Sequence, residues 1–206
     1  MTGIRVLSNL ASGMTVAHKR NSLLDARGFQ RVLKRLAREI ADFFKSTAAE
    51  MEGPERPRLV LIGIQRRGVE LAERLARLVE PMLGEPVATG ALDITLYRDD
   101  LETIGPRPVV GETRIPESLD GKCVVIVDDV LYTGRTVRAA LDELADFGRP
   151  ARIGLCVLID RGGRELPIQA DIVGKRVKAK RGDRVDVLLN EVDGRDAVEL
   201  VSGRAA

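Results

Sequence analysis

Three runs of aliphatic, largely β-branched residues constrain this chain more than any other feature: RLVLIGI at 58–64, CVVIV at 123–127 and RIGLCVLI at 152–159. Runs this continuous do not alternate between an apolar and a polar face, so each reads as a strand buried on both sides. Helical periodicity follows the first run, in Val69, Leu71, Ala72, Leu75, Ala76 and Val79, and follows the second, in Val137, Ala140, Leu141, Leu144 and Phe147. Strands that alternate with helices in this way close into a mainly parallel sheet with helices on both faces, an α/β fold. Such sheets bind ligands beyond the carboxyl ends of their strands, which places the expected site just after Ile64, Val127 and Ile159.

The rest of the chain is organised around those runs. A further strand is expected within 86–96. Phe29, Val32, Leu33, Leu36, Ile40, Phe43 and Phe44 predict an amphipathic helix, with Asp25 available as its N-cap. Its opposite face carries Arg27, Arg31, Lys34 and Arg38 in one stripe. Gly53, Pro54 and Pro57 predict that 46–57 ends this helix as a loop. The stretch 97–116 is polar, contains Gly and Pro and has no periodicity, which is long for a compact domain unless the segment is functional. Residues 1–24 contain no acid and no continuous apolar core, and read as a poorly ordered N-terminal extension ahead of one domain over 25–206.

Composition removes several function classes. At 206 residues the chain has room for one ordinary domain. It has a single histidine, His18, and two cysteines, Cys123 and Cys156, each inside an apolar run. That inventory cannot build a His-rich or four-cysteine zinc site, argues against Ser-His-Asp hydrolysis, and fits a reducing cytoplasmic setting. A metal, if used, is an oxygen-bound ion. The formal net charge of +2 advertises no global field for nucleic acid, so any basic surface must be regional. No run reaches the ~18 apolar residues that a membrane helix needs.

Asp128 and Asp129 follow the run at 123–127, and VLYTGRTVRAALDEL comes next, with a helix expected to start near Arg135. Two adjacent carboxylates at the end of an apolar strand are costly unless something uses them. Thr133, Gly134 and Thr136 put small side chains and hydroxyls at a helix N-terminus, where free N–H groups and the dipole favour a phosphate. Acids beside a phosphate cradle suit a sugar phosphate, the carboxylates taking hydroxyls or a hydrated cation. A DD pair before a TG turn can also serve only to cap a helix, and the spacing alone leaves both readings open. Neither GxxxxGK[ST] nor a GxGxxG after a strand is present.

The thirteen-residue string VVIVDDVLYTGRT resembles the motif by which type I phosphoribosyltransferases bind 5-phosphoribosyl-1-pyrophosphate (PRPP). DITLYRDDL at 93–101, DDVLYTGRTVRAALD at 128–142, GRPARI at 148–153 and DRGGRELPIQAD at 160–171 are similar to the family of pyrimidine operon regulators that double as uracil phosphoribosyltransferases. The likeness runs from about residue 25 to 201. It implies a type I phosphoribosyltransferase-like fold with a small hood, and the reaction of uracil with PRPP to UMP and pyrophosphate. Mg²⁺ would bridge oxygens of the diphosphate and ribose rather than bind the protein directly.

The same resemblance assigns roles. Asp128 and Asp129 would contact the ribose hydroxyls and stabilise the cationic sugar. Val130, Leu131, Tyr132, Thr133, Gly134, Arg135 and Thr136 complete the PRPP motif, with 133–136 on the 5′-phosphate. The turn Gln65–Gly68, through Arg66 and Arg67, would hold pyrophosphate, and Arg98 would enter from the loop 97–116 as it closes. A hood from Arg161 to Lys175 would cover the base, read by Arg161 and the main chain near Val185. A purine transferase would share the acids and the loop, and is the nearest enzymatic alternative.

The family's second activity is UMP-dependent binding of a leader mRNA, which attenuates transcription of pyrimidine genes. Two basic clusters could serve it: Arg27, Arg31, Lys34, Arg35 and Arg38 on the first helix, and Lys175, Arg176, Lys178, Lys180, Arg181 and Arg184 near the end. Lys34, Arg35, Arg38, Arg164 and Lys175 are the expected RNA contacts, although a solvated helix face is the common fate of such a stripe. The sequence departs from the family at Gly163 and Gln169, where histidine and arginine are usual. A homo-oligomer is expected, and an RNA-binding regulator with little catalysis is the other alternative.

Overall fold

The computed structural model describes residues 19–51, 57–97, 112–116 and 118–202. In chain order the elements are β1 (Arg20–Leu24), α1 (Ala26–Glu50), β2 (Leu59–Ile64), α2 (Arg67–Leu83), β3 (Ala88–Leu92), β4 (Cys123–Leu131), α3 (Arg135–Leu144), β5 (Arg152–Asp160), β6 (Ile172–Arg176), β7 (Arg184–Leu188), α4 (Asn190–Asp193) and β8 (Ala197–Val201). A short 3₁₀ turn, Ile94–Tyr97, follows β3.

Five strands form a sheet in the order β3-β2-β4-β5-β6, and every neighbouring pair is parallel. The period of two along each strand splits its apolar residues between two cores. Leu59, Leu61, Cys123, Val125 and Val127 face α1 and α2, while Val60, Ile62, Val124 and Ile126 pack with Val137, Ala140 and Leu144 of α3. All six residues of β2 are buried, as a strand covered on both faces requires. Among the described residues, no helix is long and apolar enough to cross a membrane.

α1 begins where its cap predicts: the Asp25 carboxylate accepts from the Gly28 N–H at 2.6 Å. It runs to Glu50, past the expected end at 45, because Ser46 and Thr47 turn their hydroxyls onto the Phe43 carbonyl at 2.9 Å and so need no loop to satisfy them. β4 likewise continues four residues past 127, since β5 extends beside it and pairs Val130 with Ile159 and Leu131 with Asp160. The acid pair is therefore inside the strand rather than after it.

Two expectations change. Arg20–Leu24, assigned to the extension, is a strand that pairs with β8 from Arg20↔Val201 to Leu24↔Val198, and residues 1–18 lie outside the described residues. The segment 161–175 does not form the hood as one piece. Its last part is β6, the edge of the main sheet, whereas a separate three-stranded antiparallel sheet, β1-β8-β7, is assembled from the two ends of the described chain. Val187 and Val198 of this small sheet, with Leu189 just after β7, join the core under α1 and α2.

Candidate active site

The carboxyl ends of β2, β3 and β4 and the first turn of α3 surround a cleft of about 340 Å³, lined by Arg66, Asp93, Thr95, Asp128, Asp129 and Thr136 among others. Each wall has a local cause. Gly68 in the first turn of α2 lies so close to β4 that a Cβ there would stand 2.4 Å from the Val127 carbonyl oxygen. The turn Gln65–Gly68 is thus pressed against the acid pair. It carries a cis Gln65–Arg66 peptide, and its Gln65 N–H donates to the Leu92 carbonyl at 2.9 Å.

Asp128 is 6% exposed and accepts from the Asp129 N–H at 2.9 Å. Burial pushes its carboxyl well above the ordinary range, and the neighbouring Asp129 adds to the shift. Burial raises Asp129 as well, but the Arg67 guanidinium opposes that rise. A buried and a half-buried carboxyl side by side in one cleft favour any positive charge that develops on a ligand beside them.

On the far side, residues 132–134 form the loop that leads into α3. The Thr133 carbonyl accepts from the N–H groups of Glu165 and Leu166 at 3.0 and 3.1 Å, and the Thr133 hydroxyl accepts from the Arg135 N–H at 3.3 Å. Gly134 supplies the cap of α3, and Thr136 reaches the cleft. The Arg135 side chain turns outward to Glu165 at 2.9 Å. Of the residues expected to bind PRPP, Asp128, Asp129, Val130 and Thr136 line the cleft.

The cations distribute differently from their expected roles. Arg66 lines the cleft, whereas Arg67 sits behind it and pairs with Asp193 at 3.0 Å. Arg161 is 9% exposed, stacks 4.0 Å from the centroid of the Tyr132 ring, and keeps a buried Nε without a partner among the described residues. Val185 buries its side chain in the core from β7, leaving only its main chain for any ligand. Arg98 lies outside the described residues, as do 98–111 of the expected loop.

Three of the five expected RNA contacts are committed to holding the fold. The Arg164 guanidinium binds Asp160 at 2.8 Å and the carbonyls of Tyr132 and Ile168 at 2.8 and 2.9 Å, which ties segment 160–168 to the loop at 132–134. Lys175 donates to the Leu23 carbonyl at 2.8 Å. Arg35 reaches the Val173 and Gly174 carbonyls at the sheet edge. Lys34 and Arg38 remain exposed. Gly163 has φ +79°, and a Cβ there would meet the Tyr132 ring at 2.5 Å, so the Tyr132–Arg161 stack occupies the space a larger residue would need.

One site residue was missed. Asp93 is 8% exposed, lines the cleft opposite the acid pair, and accepts from the Thr95 N–H at 2.9 Å. An acid directly after the apolar strand at 88–92 is the signal that exposed Asp128, and it was there to be read.

Comparison with known proteins places these features. Residues 21–183 match the phosphoribosyl transferase domain family. A bifunctional protein PyrR of Thermus aquaticus is 56% identical over 178 residues, spanning 86% of this chain and 93% of that protein. Its counterpart in Pelotomaculum thermopropionicum is 52% identical over 186 residues, spanning 90% and 98%. Among solved structures, the hypoxanthine phosphoribosyltransferase of Trypanosoma cruzi superposes with a TM-score of 0.65 at 21% identity, covering 89% of this chain and 97% of that one, a likeness of fold.

Proposed function

The chain belongs to the phosphoribosyl transferase family, and within it to the bifunctional PyrR proteins, and from that premise we propose that it converts uracil and PRPP to UMP and pyrophosphate and regulates pyrimidine gene expression through UMP-dependent binding of leader mRNA. The observation that carries the enzymatic part is the pair of buried Asp128 and half-buried Asp129, set in one cleft with Gln65 and Arg66 of the turn and Thr136 of the first turn of α3.

Uracil N1 forms its bond to C1 of the ribose and gives up its proton as the bond from C1 to pyrophosphate breaks, the proton leaving with the pyrophosphate or to solvent, and positive charge builds on the sugar in between. Asp128, buried, and Asp129, half-buried, face that charge across the cleft. Thr133, Gly134 and Thr136 receive the 5′-phosphate at the helix N-terminus. The main chain of the turn and Arg66 hold the leaving group. Among the described residues no group of three acids is set to hold a metal ion directly, so Asp128 and Asp129 would meet a Mg²⁺ carried on the diphosphate through its water shell, and the ion would neutralise the departing charge. Arg161, whose buried Nε has no partner among the described residues, would serve a carbonyl of the base.

The enzymatic reading is tested by the change Asp128→Asn with Asp129→Asn, which should lower UMP formation by orders of magnitude in a chain that still folds; unchanged turnover would refute it. For the RNA part, the exposed pair Lys34 and Arg38 is the support. Filter binding of a pyrimidine-gene leader RNA should strengthen with UMP, and Lys34→Ala with Arg38→Ala should reduce the salt slope by about 2, near one unit per lost phosphate contact. Equal affinity for a scrambled RNA would leave a transferase without the regulatory role.

A further inference from the structure

Glu143 of α3 turns inward. It is 5% exposed, on the face of the helix where Val137, Ala140 and Leu144 are buried. Its Oε1 accepts from the Thr113 hydroxyl at 2.6 Å, and its buried Oε2 has no partner among the described residues. A carboxylate kept from water with one oxygen unused costs stability, and an apolar residue would pack there more cheaply. The group it holds explains its presence. The Thr113 hydroxyl donates its proton to Glu143 and accepts from the Asp93 N–H at 3.0 Å, so the carboxylate reaches the end of β3 through one hydroxyl.

Thr113 sits where three elements meet. The N–H and carbonyl of Arg114 exchange hydrogen bonds with Ala91 of β3 at 2.8 and 2.9 Å. The Glu112 carbonyl accepts from the Gln65 side-chain amide at 2.9 Å, and the Gln65 N–H donates in turn to the Leu92 carbonyl. Residues 112–114 therefore tie the end of β3 to the turn after β2 and, through Glu143, to α3. Directly beyond this tie, Asp93, Ile94 and Thr95 line the cleft, and the Asp93 N–H is the first group of that wall. We propose that Glu143 is a positioning residue for the transfer reaction: by orienting the Thr113 hydroxyl on the Asp93 N–H, it fixes the wall Asp93–Thr95 against which PRPP is held. The inference rests on the transferase reading and extends it, because it makes the buried face of α3 part of the PRPP site. Glu143 does not line the cleft and acts through Thr113.

The change Glu143→Leu removes the acceptor and gives α3 an apolar residue beside the buried Val137, Ala140 and Leu144. In steady-state UMP formation it should raise the KM for PRPP about tenfold and leave kcat and the KM for uracil within about twofold, because the wall meets bound PRPP alike before and during the reaction. Tm should not fall, since the unpartnered oxygen leaves with the carboxylate. Glu143→Gln keeps an oxygen for the Thr113 hydroxyl and should recover most of the loss. Thr113→Val has the same shape without the hydroxyl and should reproduce the raised PRPP KM, and E143L should add less than about twofold in that background, since the pair works as a unit. A PRPP KM in E143L within about twofold of the parent's would overturn the proposal. So would a rise that T113V does not share or E143Q does not recover, and so would a lowered Tm with both KM values moving together, which would mark Glu143 as a support of the fold only. No UMP from the unaltered chain would overturn the transferase reading and this inference with it, a result distinct from an active parent whose PRPP KM is unmoved in E143L.

Discussion

Replacing Gly68 with alanine tests whether the turn at 65–68 and the acid pair function as one rigid unit. The new Cβ would stand 2.4 Å from the Val127 carbonyl oxygen and 3.5 Å from the Asp128 Cα. The first distance is about 1 Å short of van der Waals contact, and both partners are backbone, so neither can rotate away. β4 is held on both edges by β2 and β5, which leaves the first turn of α2 as the part that moves. A shift of about 1 Å carries Arg66 and Arg67 away from Asp129, and misplacement of that size costs on the order of 10²-fold in rate. Overpacking of this kind costs roughly 1–3 kcal/mol, or a drop in Tm of about 2–4 °C for each kcal/mol in a chain of this length. Steady-state UMP formation and differential scanning calorimetry on the same preparation would check both figures. A Gly68→Ala chain with kcat/KM within threefold of its parent would refute the reasoning, because the turn could then move without consequence for the acids.

Burial lifts the Asp128 carboxyl above its ordinary pKa, so the folded state keeps a proton that the unfolded chain releases. This contribution to stability is present below about pH 4 and is lost as pH rises toward the raised folded value. Asp128→Asn should therefore raise Tm at pH 7–8, with less effect near pH 4, and thermal melts across that range give the sign directly. Arg164→Ala should cost about 2 kcal/mol, since it removes the cation paired with Asp160 and the hydrogen bonds to the Tyr132 and Ile168 carbonyls. It should also raise the KM for PRPP, because the loop at 132–134 loses its tie to segment 160–168; calorimetry and PRPP titration measure the two effects.

The order of strands and helices in the main sheet was legible because continuous apolar runs leave no other fold for 58–64, 123–127 and 152–159. The acid pair and the loop after it were legible for the same reason, since polar groups at the end of such a run need a purpose. β1, β6, β7 and β8 were not. Each has five residues, and in β6 and β7 the burial is broken by exposed or half-buried positions. Their partners are also remote: Arg20 pairs with Val201, and Lys175 sits at the edge of the sheet beside Ile159. No local period announces a contact of that separation. Charge was read correctly but its direction was not, as Arg35, Arg164 and Lys175 show. Each extends to main-chain carbonyls that have no signature in the sequence. Asp93 carried the same signal as Asp128 and was passed over because its strand is short and less apolar.

The central claim is that this cleft transfers phosphoribose to uracil. Incubating the chain with PRPP, Mg²⁺ and one nucleobase at a time, and following nucleotide formation by chromatography, tests it most directly. The account predicts UMP from uracil and no nucleotide from hypoxanthine, guanine or adenine. A purine nucleotide formed in place of UMP would contradict it.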